Sequence, residues 1–367
     1  MGVVRSWESR QAELESFCRR LVADTTTIHR RKDLEPQPKN NLFGDYDEEE
    51  ERNTLVCVTS GVSYLGLALV NKLLQKGYSV RITIENPEDI EKVREMKESR
   101  EGNGKLEVVM GKLSDVDSLL NAFEGCHGVF HTSAFTDPAG LSGYTKSMAE
   151  IEARVSENVM EACARTTTIK RCVFTSSLLA CVWQQQNPES QDAPITINHT
   201  SWTNESLCKE KKLWYALGKV RAEKAAWRIA NERGLKLTTI CPALITGPDF
   251  CRSNPTSTIA YLKGAQEMYC HGLIATVDVT KLAEAHAIVF KAMNSTASGR
   301  YICFDKLIDN QTEAEILAKE IGMPKHKICG DSSSINCSSL HRFMKISNDK
   351  LNRLMSGPIR CYNQHYC

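Results

Sequence analysis

Tyr215-Ala216-Leu217-Gly218-Lys219 is the one Tyr-x-x-x-Lys in the chain. A spacing of four places the phenol and the amine on one face of a helix. Ser176 and Ser177 end the run RCVFTSS (171–177), which reads as a strand whose carboxyl edge is where a parallel sheet presents residues to ligand. A hydroxyl, a phenol and an ammonium so placed suit hydride transfer to a carbonyl, in which negative charge develops on oxygen and must be protonated or held. Tyrosine is the natural acid. Its ordinary pKa is about 10, and a nearby lysine ammonium, with the positive charge of oxidised nicotinamide, favours the phenolate and brings it towards working pH. The serine hydroxyl holds the carbonyl oxygen beside the phenol, and the lysine anchors ribose hydroxyls. Spacing alone decides nothing here, since about one such match arises by chance at this length and an ordinary amphipathic helix carries the same pair.

A second candidate lies upstream, where Thr59-Ser60-Gly61-Val62-Ser63-Tyr64-Leu65-Gly66 joins a strand-like run to a helical one. This is the position of a glycine-rich turn that delivers pyrophosphate to a helix N-terminus. Glycine suits such a turn because the backbone needs positive φ and must approach phosphate without an intervening Cβ. Serines stand at two of the three glycine places. A non-glycine residue forced into the left-handed region costs about 1–2 kcal/mol, which weakens a site without forbidding the fold. Ser63 also has a hydroxyl to offer phosphate. The plain alternative is a strand-to-helix turn with no ligand.

The elements that position these residues alternate. LVCVT (55–59) is strand-like, 66–77 helical, YSVRITI (78–84) strand-like, 87–100 helical and LEVVMG (106–111) strand-like again. A helix at 115–124, GVFHT (128–132), a long helix around 147–165 and the strand at 171–177 continue the series. A helix at about 211–233 and KLTTICPAL (236–244) follow. Such alternation implies an α/β fold: a doubly wound parallel sheet with right-handed crossovers. Ahead of it, residues 7–24 have helical spacing, and the charged stretch to residue 52 reads as a linker.

Composition narrows the function classes. The 367 residues carry 46 basic and 45 acidic side chains and are 41% hydrophobic, as expected of a globular protein with a sizeable core. A charge balance this even provides no general field for nucleic acid or an anionic membrane, so neither is an expected partner. No apolar stretch reaches the roughly 18 residues of a membrane span. Arg5, Glu8, Arg10, Glu13 and Glu15 break up any signal-peptide core, so a cytoplasmic location is expected. The 15 cysteines include no Cys-x-x-Cys pair; they read as buried reduced thiols with no metal site, and Cys361 and Cys367 are left open.

Taken together, VCVTSGVSYLG, GVFHTSA, MEACARTTTIKRCVFTSS, LWYALGKVRAEKAAW, TTICPALITGP and GRYIC strongly resemble the plant cinnamoyl-CoA reductase-like proteins. That family stands with the dihydroflavonol reductases in the extended short-chain dehydrogenase/reductase superfamily, and the resemblance runs from about residue 54 to 355. It implies a Rossmann-type domain over about 53–250 and a smaller C-terminal substrate lobe over about 251–367, with some elements returning to the first. NADPH is the usual hydride donor in that family, and the substrate of its true reductases is a hydroxycinnamoyl-CoA thioester. Ser177, Tyr215 and Lys219 fall on the catalytic positions. Pro242, Ala243 and Leu244 match the segment lining the nicotinamide, and Thr132, Ser133 and Ala134 match the turn after the fourth strand. Asn158 fits a helix asparagine with an indirect role, though a structural hydrogen bond is the simpler reading.

Departures from the family pattern concentrate at the adenosine end. The family loop reads Thr-Gly-x-x-Gly-x-x-Gly, whereas Ser60 and Ser63 replace the first two glycines and Gly66 alone remains. The cofactor-binding candidates are therefore Thr59, Gly61, Ser63, Tyr64, Leu65 and Gly66 in the loop, with Glu85, Lys112 and Leu113 beyond it. Glu85 stands where the family has an arginine for the 2′-phosphate, and its charge favours NADH over NADPH. Lys112 replaces an acidic residue beside adenine, and Lys281 replaces an aspartate. Two readings stay open: an NAD(P)H-dependent reductase of a phenylpropanoid-like carbonyl or acyl-CoA thioester, and a non-catalytic binding or regulatory module without cofactor. Nothing in the sequence fixes an oligomeric state.

Overall fold

The computed structural model describes residues 54–98, 105–132, 144–185, 195–248, 255–330 and 344–356. The expected helix at 7–24, the charged linker, Ser133, Ala134, Cys361 and Cys367 lie outside them. From the amino-terminal side the order is β1 (Leu55–Thr59), α1 (Tyr64–Gln75), β2 (Ser79–Ile84), α2 (Ile90–Glu98), β3 (Leu106–Met110), α3 (Val116–Phe123) and β4 (Gly128–His131). Next come α4 (Lys146–Arg165), β5 (Arg171–Thr175), α5 (Leu179–Val182), β6 (Ile195–Ile197), α6 (Glu205–Glu210), α7 (Trp214–Arg233), β7 (Lys236–Pro242) and β8 (Leu244–Thr246). The remainder is α8 (Pro255–Tyr261), α9 (Ala265–Cys270), β9 (Ala275–Asp278), α10 (Val279–Ala292), β10 (Gly299–Cys303), β11 (Lys306–Leu307), α11 (Gln311–Glu320), α12 (His326–Cys329), β12 (Met344–Ile346) and α13 (Asp349–Met355).

Seven strands form one parallel sheet in the order β10-β7-β5-β4-β1-β2-β3. The direction of strand addition reverses between β1 and β4, so a crevice opens there at the carboxyl ends of the strands. This is the doubly wound Rossmann architecture that the alternation predicts. Strand pleating explains how the two faces are filled. Val56 and Val58 join the core containing Leu69, Val70 and Phe290, whereas Cys57 between them joins the core of Phe123, Val159 and Met160. Both faces are covered, which is why the central strands are apolar throughout rather than alternating. Smaller sheets are formed by β8, β9 and β11, and by β6 with β12.

Boundaries differ from expectation at three places. A 3₁₀ turn at Pro87–Asp89 precedes α2, because proline has no N–H to donate and suits a first turn. The helix expected at 211–233 begins only at Trp214, after the separate short helix α6, and Lys212 between the two has φ +54°. The strand expected to reach residue 244 ends at Pro242, after which Leu244 begins a strand of another sheet.

One ion pair is closed off from water behind the crevice. Arg300 Nε lies 2.7 Å from Glu223 Oε1, with side chains 6% and 0% exposed. The Ser176 and Thr239 hydroxyls each donate to the same carboxylate at 2.6 Å, and the guanidinium stacks on Trp202 with 3.7 Å to the ring centroid. A buried carboxylate is tolerated only when its lone pairs are satisfied in this way. Among the described cysteines Cys270 is disulfide-bonded; the others are free thiols, and all of these but Cys329 are buried. No helix of the described residues is long and apolar enough to cross a membrane.

Replacing Arg300 by methionine strands the Glu223 charge and is expected to cost about 3–5 kcal/mol in denaturant unfolding. A loss below about 1 kcal/mol would show that the pair is not the clamp described here.

Candidate active site

A cleft of about 540 Å³ runs along the carboxyl ends of the strands. At one end stands the turn between β1 and α1. Ser60 has φ +53°, so the first serine does occupy the left-handed conformation that glycine adopts freely. Ser63 does not: with φ −70° it is the N-cap of α1, and its Oγ accepts from Gly66 N–H at 3.1 Å. Accepting leaves the Ser63 hydroxyl proton free to donate into the cleft. A Cβ on Gly66 would collide with the Ser60 carbonyl and with Gly61, so the helix start comes tight onto the turn. The first turn of α1 has no acidic residue, and the positive end of its dipole favours an anion.

Loop residues divide into lining and support. Ser60, Val62, Ser63, Tyr64 and Leu65 face the cleft. Thr59, Gly61 and Gly66, also candidates, are not among the lining residues. Thr59 is buried, its hydroxyl 2.9 Å from His131 Nδ1, and its carbonyl accepts from the Thr132 hydroxyl at 2.6 Å. Gly61 packs on Ile82, where a Cβ would clash. Glu85, Asn86, Asp89 and Lys92 line the rim past β2. Glu85 accepts from Leu113 N–H at 2.6 Å, and Asn158 Nδ2 donates to the Leu113 carbonyl at 3.2 Å. Asn158 thus holds the Leu113 peptide, a structural bond spanning distant segments. Lys112 is exposed, its N–H bound to Ser118 Oγ at 3.0 Å, and it lies outside the lining set; Leu113 lines the cleft instead.

At the other end Ser177, Tyr215, Lys219, Pro242, Ala243 and Leu244 meet, and Thr132 lies beside them on the wall. Ser176 and Ser177 are separated by their partners. The Ser176 hydroxyl is spent on Glu223, whereas Ser177 Oγ accepts from Leu179 N–H at 3.2 Å and keeps its own proton to donate. Lys219 Nζ is 5.5 Å from the Tyr215 ring centroid and 2.6 Å from Glu152 Oε1. The Tyr144 hydroxyl binds the second Glu152 oxygen, and its ring stands edge-on to Tyr215 with centroids 5.0 Å apart.

Three contributions set the electrostatic balance at Tyr215. Burial holds the Tyr215 phenol above its ordinary pKa; Lys219 pulls it down, but Glu152 pushes it up. Burial alone would lower Lys219, but the Glu152 carboxylate outweighs it and keeps the amine above its ordinary value. The protein's own groups therefore favour phenol, not phenolate. His131 is pushed down to about 3, mainly by burial and then by Lys219, and stays neutral. Glu152, Tyr144, His131 and Tyr261 are the cleft neighbours that sequence reasoning did not single out. Their signal was absent because each comes from a different element and only the fold assembles them.

The family model of the 3-beta hydroxysteroid dehydrogenase/isomerase family matches residues 57–327. Cinnamoyl-CoA reductase 1 of Petunia hybrida is 34% identical over 82% of this chain and 86% of its own length. Among solved structures, vestitone reductase from alfalfa (Medicago sativa) aligns with a TM-score of 0.57 at 25% identity, covering 85% of this chain and 94% of that one. Yeast methylglyoxal/isovaleraldehyde reductase Gre2 complexed with NADPH aligns with a TM-score of 0.60 at 20% identity, covering 82% and 93%, and shows the shared fold.

Two measurements follow from this geometry. Ser60→Gly relieves the left-handed strain and is expected to stabilise the fold by about 1 kcal/mol, read as a raised denaturation midpoint; no change or a loss would place the strain elsewhere. His286, bonded to Thr175 at 2.8 Å, is held by burial at about 4, as His131 is at about 3, both from an ordinary 6.5. The unfolded chain then binds the extra protons, so stability is full above pH 6.5 and is lost as pH falls. By pH 5 the loss is about 2 kcal/mol per histidine. Equal unfolding midpoints at pH 7 and pH 5 would contradict it.

Proposed function

The chain belongs to the 3-beta hydroxysteroid dehydrogenase/isomerase family and is an NAD(P)-dependent oxidoreductase, and we propose that it reduces the carbonyl of a phenylpropanoid-like aldehyde, ketone or CoA thioester. The observation that carries this reading is the meeting of Ser177, Tyr215 and Lys219 at one end of a cleft whose other end is a helix N-terminus. The likeness to cinnamoyl-CoA reductase of Petunia hybrida supports the substrate class. A module that merely binds has no need of a serine proton, a phenol and an ammonium converging on one place.

The residues fit a dinucleotide. The start of α1 with Ser63 would hold the diphosphate, Glu85 and the Leu113 segment the adenosine, Lys219 the nicotinamide ribose, and Pro242 to Leu244 the ring. Reduced nicotinamide, when bound, supplies the hydride. Ser177 donates to the carbonyl oxygen and polarises it. As negative charge builds on that oxygen, Tyr215 gives up its phenolic proton and the alcohol forms. For a thioester, collapse of the adduct expels the CoA thiol and leaves the aldehyde. Water from the open cleft returns the proton to Tyr215.

Charge at the rim favours NADH. Lys92 is paired with Asp89 at 2.8 Å, which leaves Glu85 as the unbalanced charge among the described rim residues. A carboxylate there accepts from ribose hydroxyls and repels a 2′-phosphate.

Tyr215→Phe is expected to lower kcat by about 10²–10⁴-fold with feruloyl-CoA, coniferaldehyde or a dihydroflavonol, leaving the cofactor dissociation constant within about threefold. Unchanged turnover would remove tyrosine as the acid. For kcat/KM, NADH should exceed NADPH by about tenfold or more and Glu85→Arg should reverse the order; a wild-type preference for NADPH would overturn the cofactor assignment.

A further inference from the structure

Glu152 enters the site from α4, whose Asn158 is bound instead to the Leu113 carbonyl. Its side chain is 6% exposed and that of Lys219 is 5% exposed. The carboxylate is held at both oxygens, by the Lys219 ammonium on one side and the Tyr144 hydroxyl on the other. The groups facing this cluster come from several elements: Tyr144 ahead of α4, His131 from β4, Tyr261 from α8, and Tyr215 and Lys219 from α7. His131 is neutral, and burial keeps the Tyr144 and Tyr261 phenols protonated. Among these groups the charges are therefore one ammonium and one carboxylate in contact. An ammonium has three N–H donors. One goes to Glu152, and the remaining two are left for the ribose diol.

Building on the reductase reading, we propose that Glu152 is a positioning residue: it fixes the Lys219 ammonium and offsets its charge, so that Tyr215 meets the substrate as a neutral phenol and the site is set for reduction. An unpaired ammonium in a water-poor site favours phenolate, which has no proton to give. The opposite reaction, oxidation of an alcohol, needs that phenolate as its base. A contacting carboxylate opposes that pull, and the Tyr144 hydroxyl keeps the carboxylate turned to the lysine.

Glu152→Gln keeps the shape and an acceptor for Lys219 while deleting the charge. The alkaline limb of kcat/KM for reduction is expected to move at least one pH unit lower. The tyrosinate absorbance step of Tyr215, obtained by difference against Tyr215→Phe, should move by the same amount. That step needs no substrate, so it reports on Glu152 even if none of the carbonyls offered is reduced. An unmoved step overturns the proposal. Should Glu152→Gln not fold, Lys219→Met is compared with the Lys219→Met, Glu152→Gln double variant. Glu152 alone beside the phenol must then hold the step at least one pH unit above the double variant, and equal values overturn the proposal.

Discussion

A helix that buries charge has to be met by opposite charge, and α7 buries two charges on the face that carries the phenol. Tyr215, Lys219 and Glu223 recur every four residues and so share that face. Left unpaired, either ion would cost several kcal/mol. Lys219 is answered by Glu152 from α4, and Glu223 by Arg300 from β10. The two pairs lie one helical turn apart and pull in different directions, which fixes the rotation of α7 about its axis as well as its position. Tyr215, one turn further towards the amino end, has its direction set by the same clamp. Ser176 extends the clamp to the end of β5, and the next residue, Ser177, is turned into the cleft.

At the turn between β1 and α1 the same fold tolerates serine where glycine is the easier residue. Ser60 takes on left-handed strain, while Ser63 turns its hydroxyl into a helix cap. Gly66, the one pattern glycine that remains, and Gly61 beside the turn both have Cβ positions occupied by neighbours: Ile82 for Gly61, the turn itself for Gly66. Close packing requires glycine at both. Beyond the turn, the Leu113 peptide is held from two sides, by Glu85 at its N–H and Asn158 at its carbonyl. This end of the cleft is thus shaped by a carboxylate already seated in a hydrogen bond.

Much of this was legible in the sequence. Strand and helix alternation places six of the seven sheet strands to within a few residues, because buried strands and amphipathic helices differ so clearly in period; β10, after the smaller C-terminal elements, is not placed by it. The strained serine was legible from the loop pattern, and so was the meeting of Ser177, Tyr215 and Lys219, since a strand end and a helix face have fixed places in a doubly wound fold. Pairwise chemistry was not legible. That Ser176 is spent on Glu223, that Thr59, Gly61 and Gly66 support rather than line the cleft, and that Lys112 points elsewhere depend on atomic neighbours no spacing encodes. Glu152 is the sharpest case: an acidic residue on a long helix normally faces water, and only its packing against α7 reveals that it does not. Its charge also adds to burial in holding the Tyr215 phenol above its ordinary pKa, against the pull of Lys219.

Every step above requires a nicotinamide dinucleotide in the cleft with its reactive end beside Tyr215 and Lys219. Calorimetric titration of the whole chain with NADH, repeated on Lys219→Met/Glu152→Gln, tests this most directly. The account predicts saturable binding at one site per chain, weakened about tenfold or more in the double variant because the ribose loses its ammonium. Absence of binding at millimolar NADH and NADPH alike, or equal affinity in the two proteins, would contradict it.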